Sequence, residues 1–357
     1  MGLVDPPAWH GLPDTSPLSY VDQMILAPMV RVGTLPMRIL ARRYGATIVY
    51  SEEIIDRKLS SCTRYAAPDG RVEYRCTREG PHQPVLVTYP GERLVLQIGT
   101  NDAIRALSSV EVAHQDIRAV DINMGCPKAF SLQGGMGAAL LTKPDLVHDI
   151  VSTLRRNVTA MPVTCKIRLL ECERQTVELA RRIEKAGAMA LAVHCRYVAD
   201  RDRYKSLPDL VRPIVDAVDI PVIVNGDVFT YEDIARIRER TGAHSVMIAR
   251  GAQWNPSVFR KDGPVPVWDV MSEYLQLCQT VGNTFANSKY TLMQMKASHC
   301  PKPMSAYVNR TKTFDALRAD LLELKTVPAL SGPYSPPITL IERDQMDPPL
   351  KKQKRSR

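Results

Sequence analysis

The residues able to do chemistry in this chain recur at the polar ends of apolar runs. AVDINMGC (119–126) carries Asp121 and Asn123 and ends at Gly125-Cys126. PVTCKIRLL (162–170) carries Lys166 and Arg168, and ALAVHCR (190–196) carries His194 and Arg196. Residues two apart on a strand share a face, so each pair points the same way. LVLQIGT (94–100) carries Gln97. IPVIVNGDV (220–228) ends in Asn225-Gly226-Asp227, and HSVMIARGA (244–252) ends in Ala249-Arg250-Gly251. MILAPMV (24–30) is broken by Pro28, which cannot donate to a strand ladder and leaves the backbone at Pro28-Met29 open to a ligand. Singly, each has a plain structural use as a turn, a satisfied core residue or a snorkelling lysine. Jointly, so many amides, cations and an imidazole at one end of apolar runs are costly to bury without purpose.

Cys126 has three readings. A nearby Lys128 lowers a thiol pKa and favours a nucleophile. A general acid needs its proton kept, and the same lysine works against it. Free cysteine is also among the most buried residue types, so a core residue at a bend is the third. The glycines of GGMG (134–137) come at least eight residues after the strand end and do not follow it directly, as a dinucleotide fingerprint requires. They read as a flexible loop over the site.

The elements that must position these residues follow from the same pattern. TIVYSEEI (47–54) joins the runs above to make eight short, nearly continuous apolar segments, the mark of buried parallel strands. Helix-like segments lie between them at 34–45, 102–115, 144–158, 173–187, 207–218 and 230–242, several ending in glycine. The alternation predicts an α/β fold, a (β/α)8 TIM barrel over 21–262, with the site at the C-terminal ends of its strands. The loops after the seventh and eighth strands are then the phosphate pocket, supplied by Asn225-Gly226-Asp227 and Ala249-Arg250-Gly251. Glycine lets backbone N–H groups approach a phosphate, and Arg250 pairs with it. Asp227 repels an anion, so its backbone is expected to face the ligand. A phosphorylated cofactor such as FMN suits this pocket, with Lys166 beside the negative charge of a reduced flavin.

The remaining regions break the rhythm. Residues 1–20 read as an N-terminal extension, and 56–92 as an inserted β-rich excursion containing RVEYRC and PVLVTY. From 263 to 327 the pattern is helical, predicting a small C-terminal all-helical domain. Residues 328–357 are Pro-rich and then basic, predicting a disordered tail.

Of 357 residues, 45% are hydrophobic and 24% charged, enough for a sizeable core. No apolar run approaches the ~20 residues of a membrane span, and the N-terminus does not read as a secretory signal. None of the eight cysteines forms a Cys-x-x-Cys pair, which favours reduced thiols in an intracellular protein over disulfides or a metal site. The net charge is +9, but five positive charges sit in the final KKQKRSR, leaving the rest about +4. That tail reads as a solvated end, a nuclear-import signal or a patch for a polyanion.

The motifs resemble the tRNA-dihydrouridine synthases, and among them the eukaryotic branch acting on uridine 20. The resembling stretches are LAPMVRVGTLPMRILARRYGA (26–46), LVLQIGT, DINMGCPKAFSLQGGMGAALL (121–141), CKIRLL, AVHCR, VIVNGDV, MIARGAQWNP (247–256) and NSKY (287–290). They span nearly the whole barrel, and GCPK followed by GGMGAALL is specific. The resemblance implies an FMN barrel that reduces the uracil C5–C6 bond in tRNA with NADPH or NADH. Reduced flavin N5 gives hydride to C6, and Cys126 protonates C5 as general acid. By motif matching, FMN contacts Pro28, Met29, Gln97, Lys166, His194, Asn225, Gly226, Asp227, Ala249 and Arg250. Asn123 holds the uracil, Lys128, Arg168 and Arg196 complete the substrate side, and Lys289 of the helical domain grips tRNA. No metal and no membrane enter this scheme. The implied protein is monomeric and cytoplasmic, with nuclear entry permitted by the basic tail.

Three departures stand out. Residues 56–92 match poorly, Leu132-Gln133 replaces a more polar pair, and no double-stranded-RNA-binding domain follows the helices. Two other readings are an FMN barrel on a free pyrimidine, of the dihydroorotate dehydrogenase kind, and a non-catalytic RNA-binding barrel. The helical region and positive charge disfavour the first.

Overall fold

The computed structural model describes residues 17–76, 84–200, 202–295, 308, 310–325 and 340–342. In chain order the barrel strands are β1 Met24–Leu26, β2 Ile48–Ile55, β6 Leu94–Gly99, β7 Ala119–Met124, β8 Val163–Leu169, β9 Ala190–Tyr197, β10 Val222–Asn225 and β11 Ser245–Ile248. They close into a parallel barrel in the order β1, β2, β6, β7, β8, β9, β10, β11. Helices α1 Leu35–Arg43, α3 Ala103–Ala113, α5 Pro144–Asn157, α6 Glu173–Lys185 and α8 Tyr231–Thr241 fall between strands where the sequence pattern puts them. Segment 207–218 is shorter than expected: a single 3-10 turn and the four-residue α7 Arg212–Val215, with Pro208 and Pro213 limiting both.

Period-two alternation divides the strands. Ile25, Tyr50, Val95, Ala119, Ala192 and Met247 fill the barrel interior. Their neighbours Leu26, Val49, Leu96, Val120, Leu191 and Val246 pack under the helices. Counting on by twos, the inner positions near the strand ends are Gln97, Asp121, Asn123, Lys166, Arg168, His194, Arg196 and Asn225. The apolar lower layer therefore gives way to a polar upper one. Leu18 and Tyr20, which the sequence assigns to an extension, also fill the interior. The Ser245 hydroxyl donates to Tyr20 O at 2.7 Å, placing this segment at the barrel's N-terminal end.

The excursion after β2 contains the short α2 Asp56–Ser60 and an antiparallel sheet of β3 Cys62–Ala66, β4 Val72–Cys76 and β5 Leu86–Thr88. Two ion pairs fasten it, one half-buried and one buried. Arg64 makes a two-pronged contact with Asp116 at 2.7 and 3.0 Å, joining β3 to the turn after α3. Arg38 of α1 is only 2% exposed and donates to Glu92 Oε1 at 2.7 Å, Gly33 O at 2.8 Å and Val87 O at 2.6 Å.

The long helical pattern after Trp268 is two helices, α10 Val267–Thr280 and α11 Phe285–Gln294. Gly282, at φ 64°, breaks it. A further helix, Phe314–Lys325, follows. Trp268, Tyr274 and Leu317 share one apolar cluster with the barrel's helices. Glu273 accepts from Arg43 and from the Tyr44 hydroxyl at the end of α1. The Asn287 amide and Thr291 hydroxyl of α11 donate to Arg31 O, so α11 sits on the loop after β1.

The expected structureless tail fails at one point. Ile341 bridges to Tyr204, with backbone hydrogen bonds of 3.0 Å to Arg203 and Lys205. Those main-chain bonds satisfy groups a free tail leaves to water. The rest of that tail, including KKQKRSR, and the extension before residue 17 lie outside the described residues. No described helix is long and apolar enough to cross a membrane.

Arg38→Ala leaves the Glu92 carboxylate and two carbonyls without their donor in the interior. It should lower unfolding free energy by about 3–5 kcal/mol in denaturant titrations. A loss under about 1 kcal/mol contradicts the clamp.

Candidate active site

The inner residues at the strand ends stand in register. Gln97 pairs with Asp121, Asn123 with Lys166, Arg168 with His194, and His194 with Asn225. A chain of side-chain hydrogen bonds runs through them. Thr164 Oγ1 donates to Asp121 at 2.7 Å, and Gln97 Nε2 to the other Asp121 oxygen at 2.8 Å. Asn123 Nδ2 donates to Gln97 Oε1 at 3.3 Å. Burial pushes the Asp121 carboxyl up to about 6, while Gln97, Thr164 and the Lys166 charge hold it down. Asp121 and Thr164 thus set which way the Gln97 amide faces.

The Gly-Cys-Pro corner is fixed by its neighbours. Asn123 Oδ1 accepts from Gly125 N at 2.9 Å and Cys126 N at 3.0 Å. Arg168 Nε donates to Gly125 O at 2.9 Å and Nη1 to Tyr197 O at 3.1 Å. Arg168 therefore ties the corner to the end of β9, with one donor on each. Cys126 itself is half-buried and Lys128 is exposed.

The glycine stretch is not the open loop its composition predicts. A five-residue helix, Ala129–Gln133, leads into it, and a 3-10 segment, Gly137–Thr142, follows. Ala138 N donates to Cys126 O at 3.0 Å. A Cβ on Gly137 would stand 2.7 Å from Cys126 O and 3.0 Å from Cys126 Cβ, at a φ of +57°. Gly137 is needed for close approach to the thiol residue.

On the far side of the mouth, a cavity of about 160 Å3 is lined by His194, Arg196, Asp202, Asn225, Gly226, Asp227, Ala249 and Arg250, among others. The Asp227 carboxylate bridges Arg196 and Arg250 at 2.5 and 2.6 Å and accepts from Ser206 N at 2.6 Å. It is spent on protein donors, as the repulsion argument expects. Asp227 adopts φ 45°, in the left-handed region that few non-glycine residues enter. A Cβ on Gly251 would meet Val228 O at 2.2 Å, so glycine lets the two loops touch. Arg250 also lies over the stacked rings of Phe229 and Trp254. Arg196, assigned to the substrate side by resemblance, lines this cavity, with two of its nitrogens held by Tyr204 O. Asn225 Nδ2 donates to Met247 O at 2.8 Å.

Electrostatics separate the titrating groups. His194 Nε2 faces Arg196 Nη1 at 3.2 Å and accepts from it. Burial, then the charges of Lys166, Arg168, Arg196 and Arg250, hold the imidazole far below its usual value, so it is neutral. Burial and Arg168 bring Lys166 down to about 8, against the pull of Asp121. Pro28 and Met29 follow β1, whose end pairs with β11 just before Ala249. Lys289 stands apart on α11, its ammonium donating to Thr311 O at 3.0 Å. Sequence reasoning passed over Glu53, whose carboxyl group lies beside Cys126 and Asn123. Its signal was present: SEE interrupts TIVYSEEI as Gln97 interrupts LVLQIGT. Among the described residues no cluster of His, Cys, Asp and Glu could hold a metal ion.

A family profile described as dihydrouridine synthase matches residues 25–326. A Schizosaccharomyces pombe protein named tRNA-dihydrouridine(20) synthase NAD(P)+ is 36% identical over 311 residues, covering 84% of this chain and 65% of the relative. The chain thus spans just under two thirds of that relative's length. A Saccharomyces cerevisiae protein of the same name is 34% identical over 307 residues, 78% of each. A mouse protein named tRNA-dihydrouridine(20a/20b) synthase NAD(P)+-like is 30% identical, covering 71% of this chain and 75% of its own.

The depressed Lys166 makes a signed prediction for flavin-free protein. The folded chain releases this proton near pH 8, the unfolded one near ~10.4. Between those values the unfolded state holds more protons, so unfolding free energy rises with pH. From about pH 7.5 to 9.5, the parent should gain stability relative to Lys166→Met in urea titrations. A parallel pH dependence of the two proteins contradicts the assignment.

Proposed function

The chain belongs to the dihydrouridine synthase family, and from that premise we propose that it is a flavin-dependent tRNA-dihydrouridine synthase. Its reaction is reduction of the C5–C6 bond of uridine 20 in the D-loop, with NADPH or NADH as reductant. The position and the reductant rest on the names of the relatives at 36% and 34% identity. The observation that carries the chemistry is a thiol held at the end of β7, its backbone fixed by Asn123, across the mouth from a glycine- and arginine-lined cavity.

FMN suits the donor set of that cavity. Arg196 and Arg250 face Asp227 and Asp202 there, and because Asp227 is already bridged between the two guanidiniums, the donors left for a phosphate ester are Arg250 and the glycine-loop backbone. Gly226 and Gly251 let the loops that form the cradle pack closely, where a Cβ would meet Ser206 or Val228. Arg250, Gly226 and the backbone of Asp227 would hold the phosphate. Pro28, Met29, Gln97, Lys166, His194, Asn225 and Ala249 would surround the rest. Bound there, the flavin supplies the hydride for C6.

The chain's own residues do the remainder. Asn123, with Arg168 on the substrate side, holds the uracil. The Cys126 S–H bond breaks as the C5–H bond forms, and the thiolate then recovers a proton from water. The base must leave the tRNA stack to reach this depth. We assign its grip to the helical region 263–327, Lys289 included. The support is that α11 sits on the loop after β1, at the mouth.

Cys126→Ala should purify with its flavin and lose about 10²–10⁴-fold in NADPH-dependent reduction of unmodified tRNA. Parent-like turnover rejects the general acid. Arg250→Ala removes charge-assisted bonds and should weaken FMN retention by about 10–100-fold in dialysis or fluorescence titration. Unchanged retention would falsify the phosphate assignment.

A further inference from the structure

Strand β2 carries a bulge whose effect is to aim one acidic side chain into the mouth. Its register with β6 runs Val49 to Leu94 and Tyr50 to Val95, then jumps to Glu53 opposite Gln97. One extra residue on β2 shifts the alternation. Tyr50 faces the barrel interior, and Ile54 packs outward under the helices. Glu53 is thereby turned inward, beside the working residues. Bulges re-aim side chains in this way, often at sites of function.

The carboxylate has a place made for it. A Cβ on Gly99 would stand 2.6 Å from Glu53 Oε1, so that glycine leaves the space the oxygen occupies. Oε1 is buried and has no hydrogen-bond partner. A buried acceptor left unpaired is costly. The neighbours able to donate are the Cys126 thiol and the Asn123 amide, with the Lys128 charge close by. Asn123 Nδ2 gives one hydrogen to Gln97 and keeps a second, so that amide and the thiol are the two donors in reach.

The charges around Cys126 show why such an acceptor matters. Lys166 and Arg168 face the thiol from β8, and Lys128 follows it in the chain. A general acid must keep its proton until the base is in place, so an acceptor that holds the S–H in the resting site matters amid these cations. Glu53 brings the opposing charge from β2.

Resting on the general-acid reading above, we propose that Glu53 is a positioning residue for Cys126: in the resting site its carboxylate accepts the thiol hydrogen bond and holds the proton on sulfur, until the S–H turns to the bound base. Burial raises the Glu53 carboxyl above the usual carboxylate range, countered by Lys128 and by its contacts with Cys126 and Asn123. A poorly hydrated carboxylate gains from such a shared proton.

The test is alkylation of Cys126 by iodoacetamide in the flavin-loaded protein. It is read on the Cys126 peptide by mass spectrometry across about pH 6 to 10. Glu53→Gln keeps the shape and removes the charge. It should lower the midpoint of the alkylation profile by about one pH unit, giving roughly tenfold faster labelling near neutrality. Glu53→Asp should keep a parent-like midpoint, and tRNA reduction by Glu53→Gln should lose its alkaline limb first. If Glu53→Gln does not fold, Glu53→Ala removes the same charge and must shift the midpoint the same way. An unchanged or raised midpoint overturns the inference while leaving the general acid in place. Parent-like turnover of Cys126→Ala removes the general acid while leaving the midpoint shift to be seen.

Discussion

Desolvated positive charge at one end of a closed barrel is the constraint on which the rest of this structure depends. Lys166, Arg168, Arg196 and Arg250 converge on strand ends where water is scarce, and each lowers the proton affinity of its neighbours. The fold answers with buried acids. Asp227 bridges Arg196 and Arg250, and Asp121 lies near Lys166. The His194 imidazole, ringed by cations, stays neutral. Arg250 and the glycine backbone beside it suit a phosphorylated cofactor on one side of the mouth.

The thiol side is held by geometry more than by charge. Asn123 uses one oxygen to fix two backbone N–H groups of the Gly-Cys-Pro corner, while Arg168 holds the corner's carbonyl. Gly137 then packs its backbone on Cys126, where a larger residue has no room. The glycines after Cys126 therefore serve close packing, not the swinging of a lid. A donor kept in one place reacts without reorganising its surroundings, which is the advantage of building it on a strand end.

Most of the barrel was legible because buried parallel strands are continuous apolar runs, and the polar interruptions at their ends named Gln97, Asn123, Lys166, His194 and Asn225. What stayed hidden depends on pairing between distant segments. The bulge that turns Glu53 inward shows only when β2 is laid against β6. The burial of Leu18 and Tyr20 depends on contacts with β11, over two hundred residues away. That Arg196 is held by Tyr204 and Asp227 likewise shows only in the folded chain. GGMG resembles a flexible loop in composition, since sequence does not show that Cys126 lies against Gly137.

The central claim is that this barrel reduces one uridine of tRNA from a flavin site. The most direct measurement is mass spectrometry of an unmodified tRNA transcript after incubation with the purified protein and NADPH. The account predicts one uridine in the D-loop, at position 20, heavier by a pair of hydrogens, with free uridine and orotate untouched. A yellow, NADPH-reducible protein that leaves the tRNA unchanged, or that reduces the free pyrimidine instead, contradicts it.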